Sequence, residues 1–367
     1  MPNTSASPSD TRYNLATLLA PASLAKLGAI GAILLAVVVL FLWVGGWLSS
    51  GHLTQTRLID TFEDVDGPHP GFRRNHAKGV CLEGSFESNG AGAKLSTASV
   101  FKPGRVPVSG RFSLAGGMPM MPDGPAAVRS MALNFAQPDG EAWRTAMIDI
   151  PVFPVRDPRG FYELLLSSKP DPKTGKPDPS AGKAFAAAHP ETVKAMSILQ
   201  AHPFSSGFTN ASYNALNAFL FVDAEGRATP VRWSMAPVDP FAAESPNPPD
   251  DKNYLFDALI ARLQKAPAQW HLMLTVGQPG DPTDDATIPW PADRTQIDAG
   301  TLNVERVFAE AEGNCRDINF DPLVLPAGIA PSDDPLLSTR SAAYSVSFTR
   351  RTGEPKIPSA VQVPKGK

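Results

Sequence analysis

Residues 73–79, RRNHAKG, place one of the chain's six histidines among three cations, directly before an apparent β-strand. In the stretch that follows, Val80, Leu82 and Phe86 alternate with other residues, which is typical of a strand with one buried face. A lone histidine is more often a solvated or satisfied residue than a catalyst. His76 is therefore a candidate for chemistry only if other parts of the chain supply side chains that complete a site with it.

The composition argues against several classes of protein. A chain of 367 residues that is 43% hydrophobic forms one large domain or two medium ones. A net charge of −3 and a pI of about 6.1 argue against a basic nucleic-acid binder, so we expect no nucleic-acid partner. Cys81 and Cys315 are too few for a disulfide framework or a Cys-based zinc site, and the sequence leaves open whether they form one disulfide or remain two separate buried thiols.

An uncharged apolar segment near the N-terminus predicts a single transmembrane helix. Residues 27–51 carry no formal charge, and about 20 apolar residues are enough to span a bilayer. Arg12 and Lys26 precede the segment and the next basic residue is Arg57, which favours a cytoplasmic N-terminus. The apolar run is longer than a signal-peptide core. We therefore favour an uncleaved anchor in the cytoplasmic (inner) membrane, contacting lipid through residues 27–49, with the following domain on the periplasmic side; a cleaved signal is the alternative.

The rest of the chain is interpreted as one domain without internal repeats. We expect residues 1–25, rich in Ser, Pro and Ala, to be disordered, residues 26–49 to form the anchor and residues 50–58 to form a linker. The domain then runs over residues 59–351, and the Pro- and Lys-rich residues 352–367 form a flexible tail.

Strand patterns precede helix patterns within this domain. The pattern predicts strands at RVPVSGRFSLAG, SMALNFA and TAMIDIPVF, and a hairpin in which NAFLFVD and TPVRWSM flank a turn at residues 224–227. Helices are expected at residues 253–265, which have one apolar face, and at residues 335–347, where Asp334 is an N-cap residue before Pro335. Antiparallel strands followed by helices predict an α+β fold with a central sheet or barrel.

Two pairs of residues are candidates for a site with His76. In a strand, Arg111 and Ser113 point to the same face, which would suit an anion-binding pocket beside an oriented imidazole. An ordinary half-exposed edge strand is the alternative. Arg340 and Tyr344 share one face of a helix. The Arg340 guanidinium would favour the ionised phenolate form of Tyr344, and coordination of the tyrosine to a ferric ion would do the same. Taken alone, such a pair is common and usually structural.

Four motifs, RxxHAKG, RFS, PVFPVRD and RxxAY, occur in this order and with a spacing that together resemble the haem catalases. The resemblance covers residues 54–352, and the chain looks most like the small catalase-related haem peroxidases, here with an N-terminal membrane anchor. No match to the long N-terminal arm, wrapping helices or C-terminal domain of full catalases is recognisable. The resemblance implies an α+β fold, with a catalase-like antiparallel β-barrel and surrounding helices preceded by a single transmembrane helix.

The resemblance also implies roles for individual residues around a haem, expected to be haem b with ferric iron. His76 matches the distal histidine that acts as acid and base, and Ser113 matches the serine that orients it. Tyr344 matches the proximal tyrosine that ligates the iron, and Arg340 matches the partner that stabilises its phenolate. The arginines that hold the haem propionates in this family are matched by Arg73, Arg111 and Arg351. The aromatic ring that stacks on the haem face is matched by Phe161.

One position departs from the family pattern. Catalases usually have an Asn before the stretch T-P-I-F-F on the distal side, and here Asp149 stands in that place. An amide can donate a hydrogen bond to peroxide, whereas an ionised carboxylate cannot. We therefore expect Asp149 in the distal part of the catalytic site, together with weak catalase activity. The alternatives are that the carboxyl is protonated, that it points away, or that the site lacks this donor.

These inferences predict a haem-dependent peroxidase that reduces hydrogen peroxide, or organic peroxides, with electrons from small organic donors, and that serves antioxidant defence. The main alternative is a catalase, in which a second peroxide supplies the electrons and dioxygen leaves. A haem lyase or isomerase acting on hydroperoxides and a non-catalytic haem-binding protein are further alternatives. The sequence leaves open the electron donor and whether the protein is a monomer or a homodimer.

Overall fold

The structure, a computed structural model, describes residues 21–44, 47–48, 53–137, 139–245, 247–313 and 315–364, and the chain divides into two units, residues 1–54 and residues 55–367.

Helix α1 (Pro21–Val44) forms the described part of the first unit, together with residues 47–48 and 53–54. Within the described ranges it is the one helix long and apolar enough to cross a membrane, although a signal sequence near the N-terminus has the same properties. The helix begins at Pro21, so residues 21–25 are helical and not disordered as expected. The expected disorder of residues 1–20 lies outside the described part of the chain.

Ten β-strands are described in the second unit. They are β1 Gly79–Ser88, β2 Gly104–Leu114, β3 Arg129–Ala136, β4 Ala142–Ile148, β5 Tyr213–Asn214, β6 Phe219–Val222, β7 Ala228–Pro237, β8 Ala268–Val276, β9 Gln296–Phe308 and β10 Ile329–Pro331. Alternation of side chains defines their two faces. In β4, for example, Trp143, Thr145 and Met147 are buried, while the residues between them are half-buried.

Eight of these strands close into an antiparallel barrel. They follow the order β1-β2-β3-β4-β5-β7-β8-β9, and β9 pairs back with β1, whereas β6 and β10 extend the sheet outward from β7. Closure removes the unpaired edges that an open sheet would expose. The expected α+β fold with an antiparallel barrel is confirmed, and so is the hairpin, since β6 and β7 pair across the turn at residues 223–227.

The barrel interior is a packed apolar core. Phe112 of β2 lies 5.9 Å from Trp270 and 6.2 Å from Tyr213, measured between ring centroids, and all three side chains are buried. Phe135 stacks on Trp143 with ring centroids 4.9 Å apart. Aromatic side chains therefore fill the interior of the barrel.

The second unit also contains six helices in its described ranges. They are α2 Gln55–Asp66, α3 Pro158–Ser168, α4 Pro179–Ala188, α5 Pro190–Ala201, α6 Tyr254–Lys265 and α7 Pro335–Gly353. Helix α6 buries the apolar face that the sequence predicted. Helix α7 begins as predicted, because the Asp334 carboxylate accepts a hydrogen bond from the Leu336 N–H at 2.9 Å and Pro335 occupies the first turn.

The segment expected to be a linker, residues 50–58, is partly helical. Helix α2 begins at Gln55, and its residues Leu58 and Phe62, four positions apart, are both buried. Apolar residues at this spacing form one helix face, which packs against the rest of the unit. Residues 50–52 of the expected linker lie outside the described structure.

The segment expected to be a flexible tail, residues 352–367, is ordered over most of its length. The Ser359 hydroxyl oxygen accepts a hydrogen bond from the Ala311 N–H at 2.6 Å, and Val361 has no exposed surface. Further contacts hold the same segment, because the Arg316 guanidinium donates to the Ile357 carbonyl at 2.7 Å and Lys356 forms an ion pair with Asp317 at 2.7 Å. Residues 365–367 are not among those described.

Cys81 and Cys315 form a disulfide, which answers the question that the sequence left open. Cys81 lies in β1, whereas Cys315 opens a 3-10 turn (Cys315–Asp317) that is 234 residues further along the chain. Both cysteines are fully buried. The bond therefore ties a turn outside the barrel to a strand of the barrel wall.

Candidate active site

A cavity that is partly open to solvent lies between the outer face of the barrel and residues of helices α2, α3 and α7. Strands β2 to β4 contribute alternate residues such as Ser113, Ser130 and Ala146, whose neighbours in sequence point into the barrel core. Segments from both ends of the second unit meet here. Eight of the nine residues predicted for the site line the cavity: Arg73, His76, Arg111, Ser113, Phe161, Arg340, Tyr344 and Arg351.

His76 has a left-handed backbone conformation, with φ at +56°. Among the described non-glycine residues only Leu216 shares this conformation, with φ at +62°, and it lines the same cavity. The Asn75 side-chain oxygen accepts hydrogen bonds from the His76 N–H and the Gly116 N–H, both at 2.9 Å, and so holds the turn. Such conformations cost energy in residues other than glycine and cluster at functional sites. The backbone therefore supports a functional role for this cavity.

The residues around this turn fix it to the rest of the unit. Arg74, to which the sequence assigned no role, forms ion pairs with Glu63 of α2 at 2.6 Å and with Glu354, which follows α7. Gly79 begins β1 so close to Arg111 that a Cβ at position 79 would lie 2.5 Å from the guanidinium. A larger residue there would displace Arg111 from the cavity wall.

The His76 imidazole is neutral at physiological pH. Burial lowers its pKa to about 3, and the positive charges of Arg111, Arg340 and Arg73 add to this effect. Its Nδ1 is buried without a hydrogen-bond partner in the described structure, so the ring makes no hydrogen bond to the Ser113 hydroxyl, although both line the cavity. A neutral imidazole that faces a cavity can accept a proton from a bound ligand.

Three of the four arginines that line the cavity have one directly paired carboxylate between them within the described ranges. Arg111 forms an ion pair with Glu310 at 2.6 Å, and both side chains are buried. Within the described ranges Arg73 and Arg351 have no carboxylate at ion-pair distance and donate to backbone carbonyls instead. Burial, followed by the charges of Arg351 and Arg111, holds the Arg73 pKa well below its usual value, and the Arg73 Nε is buried without a partner. The arrangement therefore attracts an anion.

Tyr344 and Arg340 face the cavity from α7, as the helical spacing predicted. Arg340 donates hydrogen bonds to the side-chain oxygen of Asn217 and to the Ala146 carbonyl, but makes none to the Tyr344 hydroxyl within the described structure. The Asn217 amide donates in turn to Asp334 at 2.7 Å. Sequence reasoning missed Asn217 and identified Asp334 only as a helix N-cap, because both roles depend on contacts between distant segments.

Aromatic rings form the apolar part of the cavity. Phe161 of α3, predicted to stack on a ligand, lies 5.7 Å from Phe153 and 5.8 Å from Phe62, measured between ring centroids. Leu58 and Ile59 of α2 extend this apolar surface. The combination of aromatic surface and guanidinium groups suits a flat, largely apolar ligand that carries carboxylates.

Asp149 does not line the cavity, contrary to its expected place in the distal part of the site. It follows β4, whose last residue, Ile148, faces the cavity instead. One Asp149 carboxylate oxygen accepts a hydrogen bond from the Arg129 N–H at 2.8 Å, and the other lies 3.5 Å from the Arg129 guanidinium. Burial raises the Asp149 pKa to about 6, and Arg129 opposes the shift. The carboxyl therefore points away from the cavity.

Comparison with known sequences identifies relatives along most of the chain. The profile of the Catalase family matches residues 49–359. A Catalase-related peroxidase of Synechococcus elongatus is 38% identical over 311 residues, which cover 84% of this chain and 91% of that protein. A Catalase-related peroxidase of Mycolicibacterium paratuberculosis is 32% identical over 308 residues, which cover 83% of this chain and 96% of that protein.

Comparison with solved structures identifies the same fold. A bacterial catalase has a TM-score of 0.67 at 21% identity, over 83% of this chain and 62% of its own length. Catalase A from Saccharomyces cerevisiae has a TM-score of 0.70 at 18% identity, over 82% of this chain and 65% of its own length. The chain thus spans less than two thirds of the length of these two proteins. Because the family profile matches most of the chain, and the two peroxidases align over nearly their whole length, this chain belongs to the catalase family.

Proposed function

We propose that this protein is a haem-dependent peroxidase, an oxidoreductase that reduces hydrogen peroxide with electrons from small organic donors. The observation that carries the proposal is one cavity that combines the neutral imidazole of His76, the phenol of Tyr344 and four arginines, of which one pairs directly with a carboxylate among the described residues. The names of the two aligned relatives, both Catalase-related peroxidases, support the same reaction.

The residues of the cavity fit a haem. Tyr344 would ligate the iron, and Phe161 would pack on the porphyrin face. The two propionates would be held by Arg73, Arg111 and Arg351, and the unpartnered Nε of Arg73 is a donor that a carboxylate would satisfy. When bound, ferric haem, expected as haem b, supplies an iron that binds peroxide and a conjugated ring that shares in a two-electron oxidation.

His76 would move the proton that peroxide cleavage requires. Its neutral imidazole accepts the proton of one peroxide oxygen and delivers it to the other, so that the departing oxygen leaves as water. The low pKa of His76 keeps the ring in its accepting form at physiological pH. Overall, hydrogen peroxide and a reduced donor AH2 give two waters and the oxidised donor A.

The polar contacts at α7 would support the tyrosine ligand. Asn217 and Asp334 hold the Arg340 guanidinium one helical turn before Tyr344. A fixed cation at this distance stabilises the negative charge of a phenolate. Arg340 would therefore act on the ligand through its charge and not through a direct hydrogen bond.

The place of Asp149 favours a peroxidase over a catalase. A catalase has to bind a second peroxide, and a distal amide donor suits that task. The side chain at this position is an acid, and it is held by Arg129 away from the cavity. We infer that oxidation of an organic donor is faster than dismutation.

The first unit would place this activity at a membrane. Helix α1 has the length and composition of an anchor, and we infer that it holds the enzyme in the cytoplasmic membrane. A buried disulfide is typical of oxidising compartments, which favours the periplasmic side for the second unit. Removal of peroxide there would serve antioxidant defence.

Replacing His76 with Ala should abolish peroxide reactivity while haem remains bound. Because general acid–base catalysis contributes about 10²–10⁴-fold, we expect the second-order rate constant with hydrogen peroxide to fall at least about 100-fold in stopped-flow absorbance. His271→Gln, at a half-exposed position of β8 outside the cavity lining, is the control and should react like the unsubstituted protein. A His76→Ala protein that reacts at the original rate would exclude the proposed proton transfer.

The same rate constant should not depend on pH between about pH 5 and pH 8, because a histidine with a strongly lowered pKa stays neutral there. The His76 pKa of about 3 places the loss of activity at lower pH, where the ring becomes protonated and can no longer accept a proton. Stopped-flow measurements across this range test the expectation. An acid limb centred near about 6.5, the ordinary pKa of histidine, would contradict a buried imidazole beside three cations.

Replacing Asp149 with Asn should leave the ratio of oxygen release to donor oxidation unchanged, because the side chain faces Arg129 and not the cavity. An oxygen electrode measures dismutation, and absorbance of the oxidised donor measures peroxidation in the same sample. Rapid oxygen release gained by the Asn variant would show that residue 149 acts on the distal side after all.

The same substitution should change how stability depends on pH. The folded state favours the protonated carboxyl, since the pKa rises from 3.8 to about 6. The contribution of the raised Asp149 pKa to the free energy of unfolding is complete below about pH 4 and is lost as the pH rises through about 6. Relative to the unsubstituted protein, Asp149→Asn should therefore gain roughly 3 kcal/mol in unfolding free energy between about pH 4 and pH 7. Denaturant unfolding at the two pH values gives the difference, and parallel pH profiles would refute the prediction.

A further inference from the structure

The disulfide between Cys81 and Cys315 lies directly behind the cationic part of the cavity. Cys315 begins the turn Cys315–Asp317, and Phe320, a few residues later, lines the cavity. Cys81 sits in β1, whose ladder with β2 places it opposite Arg111. The bond therefore connects the strand pair that carries one cavity arginine to a turn beside the cavity.

The carbonyl groups of this turn hold the other two arginines. The Arg73 guanidinium donates to the Cys315 carbonyl at 2.9 Å and to the Ile318 carbonyl at 3.0 Å. The Arg351 guanidinium donates to the Arg316 carbonyl and again to the Ile318 carbonyl, both at 3.2 Å. The orientation of both guanidinium groups thus depends on the position of residues 315–318.

The third arginine is fixed from the side of the strand. Arg111 donates to the Ala77 carbonyl at 3.1 Å and pairs with Glu310 at 2.6 Å. A single covalent bond between positions 81 and 315 therefore joins the strand opposite Arg111 to the turn that orients the other two guanidinium groups. These groups repel one another, so the turn has to hold them together before an anion arrives.

We propose that the Cys81–Cys315 disulfide is a positioning element for carboxylate recognition, which keeps Arg73, Arg111 and Arg351 at the spacing that the two propionates of haem require. The inference rests on the proposed function, because it takes haem as the ligand. Without the disulfide, the turn would move relative to β1. The hydrogen bonds that Arg73 and Arg351 donate to the carbonyls of the turn would then no longer fix the direction of the two guanidinium groups. The disulfide would then act on affinity for the carboxylates and not only on overall stability.

The experiment compares two ligands, haem and haem dimethyl ester, in which both propionates are esterified and uncharged. Titrations followed by Soret absorbance use the full-length protein in detergent and two variants. The first is the double variant Cys81→Ser with Cys315→Ser. The second is Val231→Ala, a fully buried position of β7 outside the cavity lining, as a control for general destabilisation.

For the double variant we expect the Kd for haem to rise at least about tenfold, the effect of weakening one charge-assisted hydrogen bond. The Kd for the dimethyl ester should change less than about twofold, because that ligand offers no carboxylate to the arginines. Val231→Ala should change the two Kd values by equal factors. An equal change for both ligands in the double variant, or no change for either, would overturn the positioning role.

Two further comparisons keep the test decisive. If the Ser variant does not fold by circular dichroism, the pair Cys81→Ala with Cys315→Val fills the same apolar space without a covalent link and takes its place. If the unsubstituted protein shows no preference for haem over the dimethyl ester, the haem site of the proposed function fails, and the positioning role fails with it. If that preference exists and the disulfide-free protein keeps it in full, only the positioning role fails.

Discussion

Mutual repulsion among the guanidinium groups of Arg73, Arg111 and Arg351 is the constraint that the architecture around the cavity has to overcome. Only Glu310 pairs directly with one of them among the described residues, and the charges of the other two help to lower the Arg73 pKa. Strand β2, helix α7 and the segment before β1 each deliver one arginine, and backbone carbonyls hold two of them. Burial lowers the pKa of His76, and two of these arginines, Arg111 and Arg73, add to the shift together with Arg340.

Side chains whose direction follows from local geometry could be predicted from the sequence. Alternation along β2 places Arg111 on the outer face of the barrel, and helical spacing in α7 places Arg340 and Tyr344 on one face; all three line the cavity. The family motif alone places Asp149 on the distal side, whereas the alternation along the strand favours the alternative that its side chain points away. Ile148, the last residue of β4, faces the cavity, so the residue after it is expected to face away.

Features that depend on contacts between distant segments could not be predicted. The Cys81–Cys315 bond spans 234 residues, and neither cysteine lies in a motif that implies a partner. The ordered part of the tail depends on contacts of Ser359 and Val361 that its composition does not reveal. The hydrogen bond from Arg340 to Asn217 likewise joins α7 to a loop far away in sequence. Composition and periodicity describe single segments, whereas these features belong to pairs of segments.

The central claim of the proposed function is that Tyr344 would ligate the iron of a haem whose propionates the cavity arginines would hold, in the same cavity as His76. The most direct measurement is the absorption and resonance Raman spectrum of the purified ferric protein, compared with that of Tyr344→Phe. We predict a high-spin ferric haem with the vibrations of a tyrosinate ligand, and the loss of these vibrations in the variant. A protein that turns over peroxide without haem, or a haem spectrum that Tyr344→Phe leaves unchanged, would contradict this site.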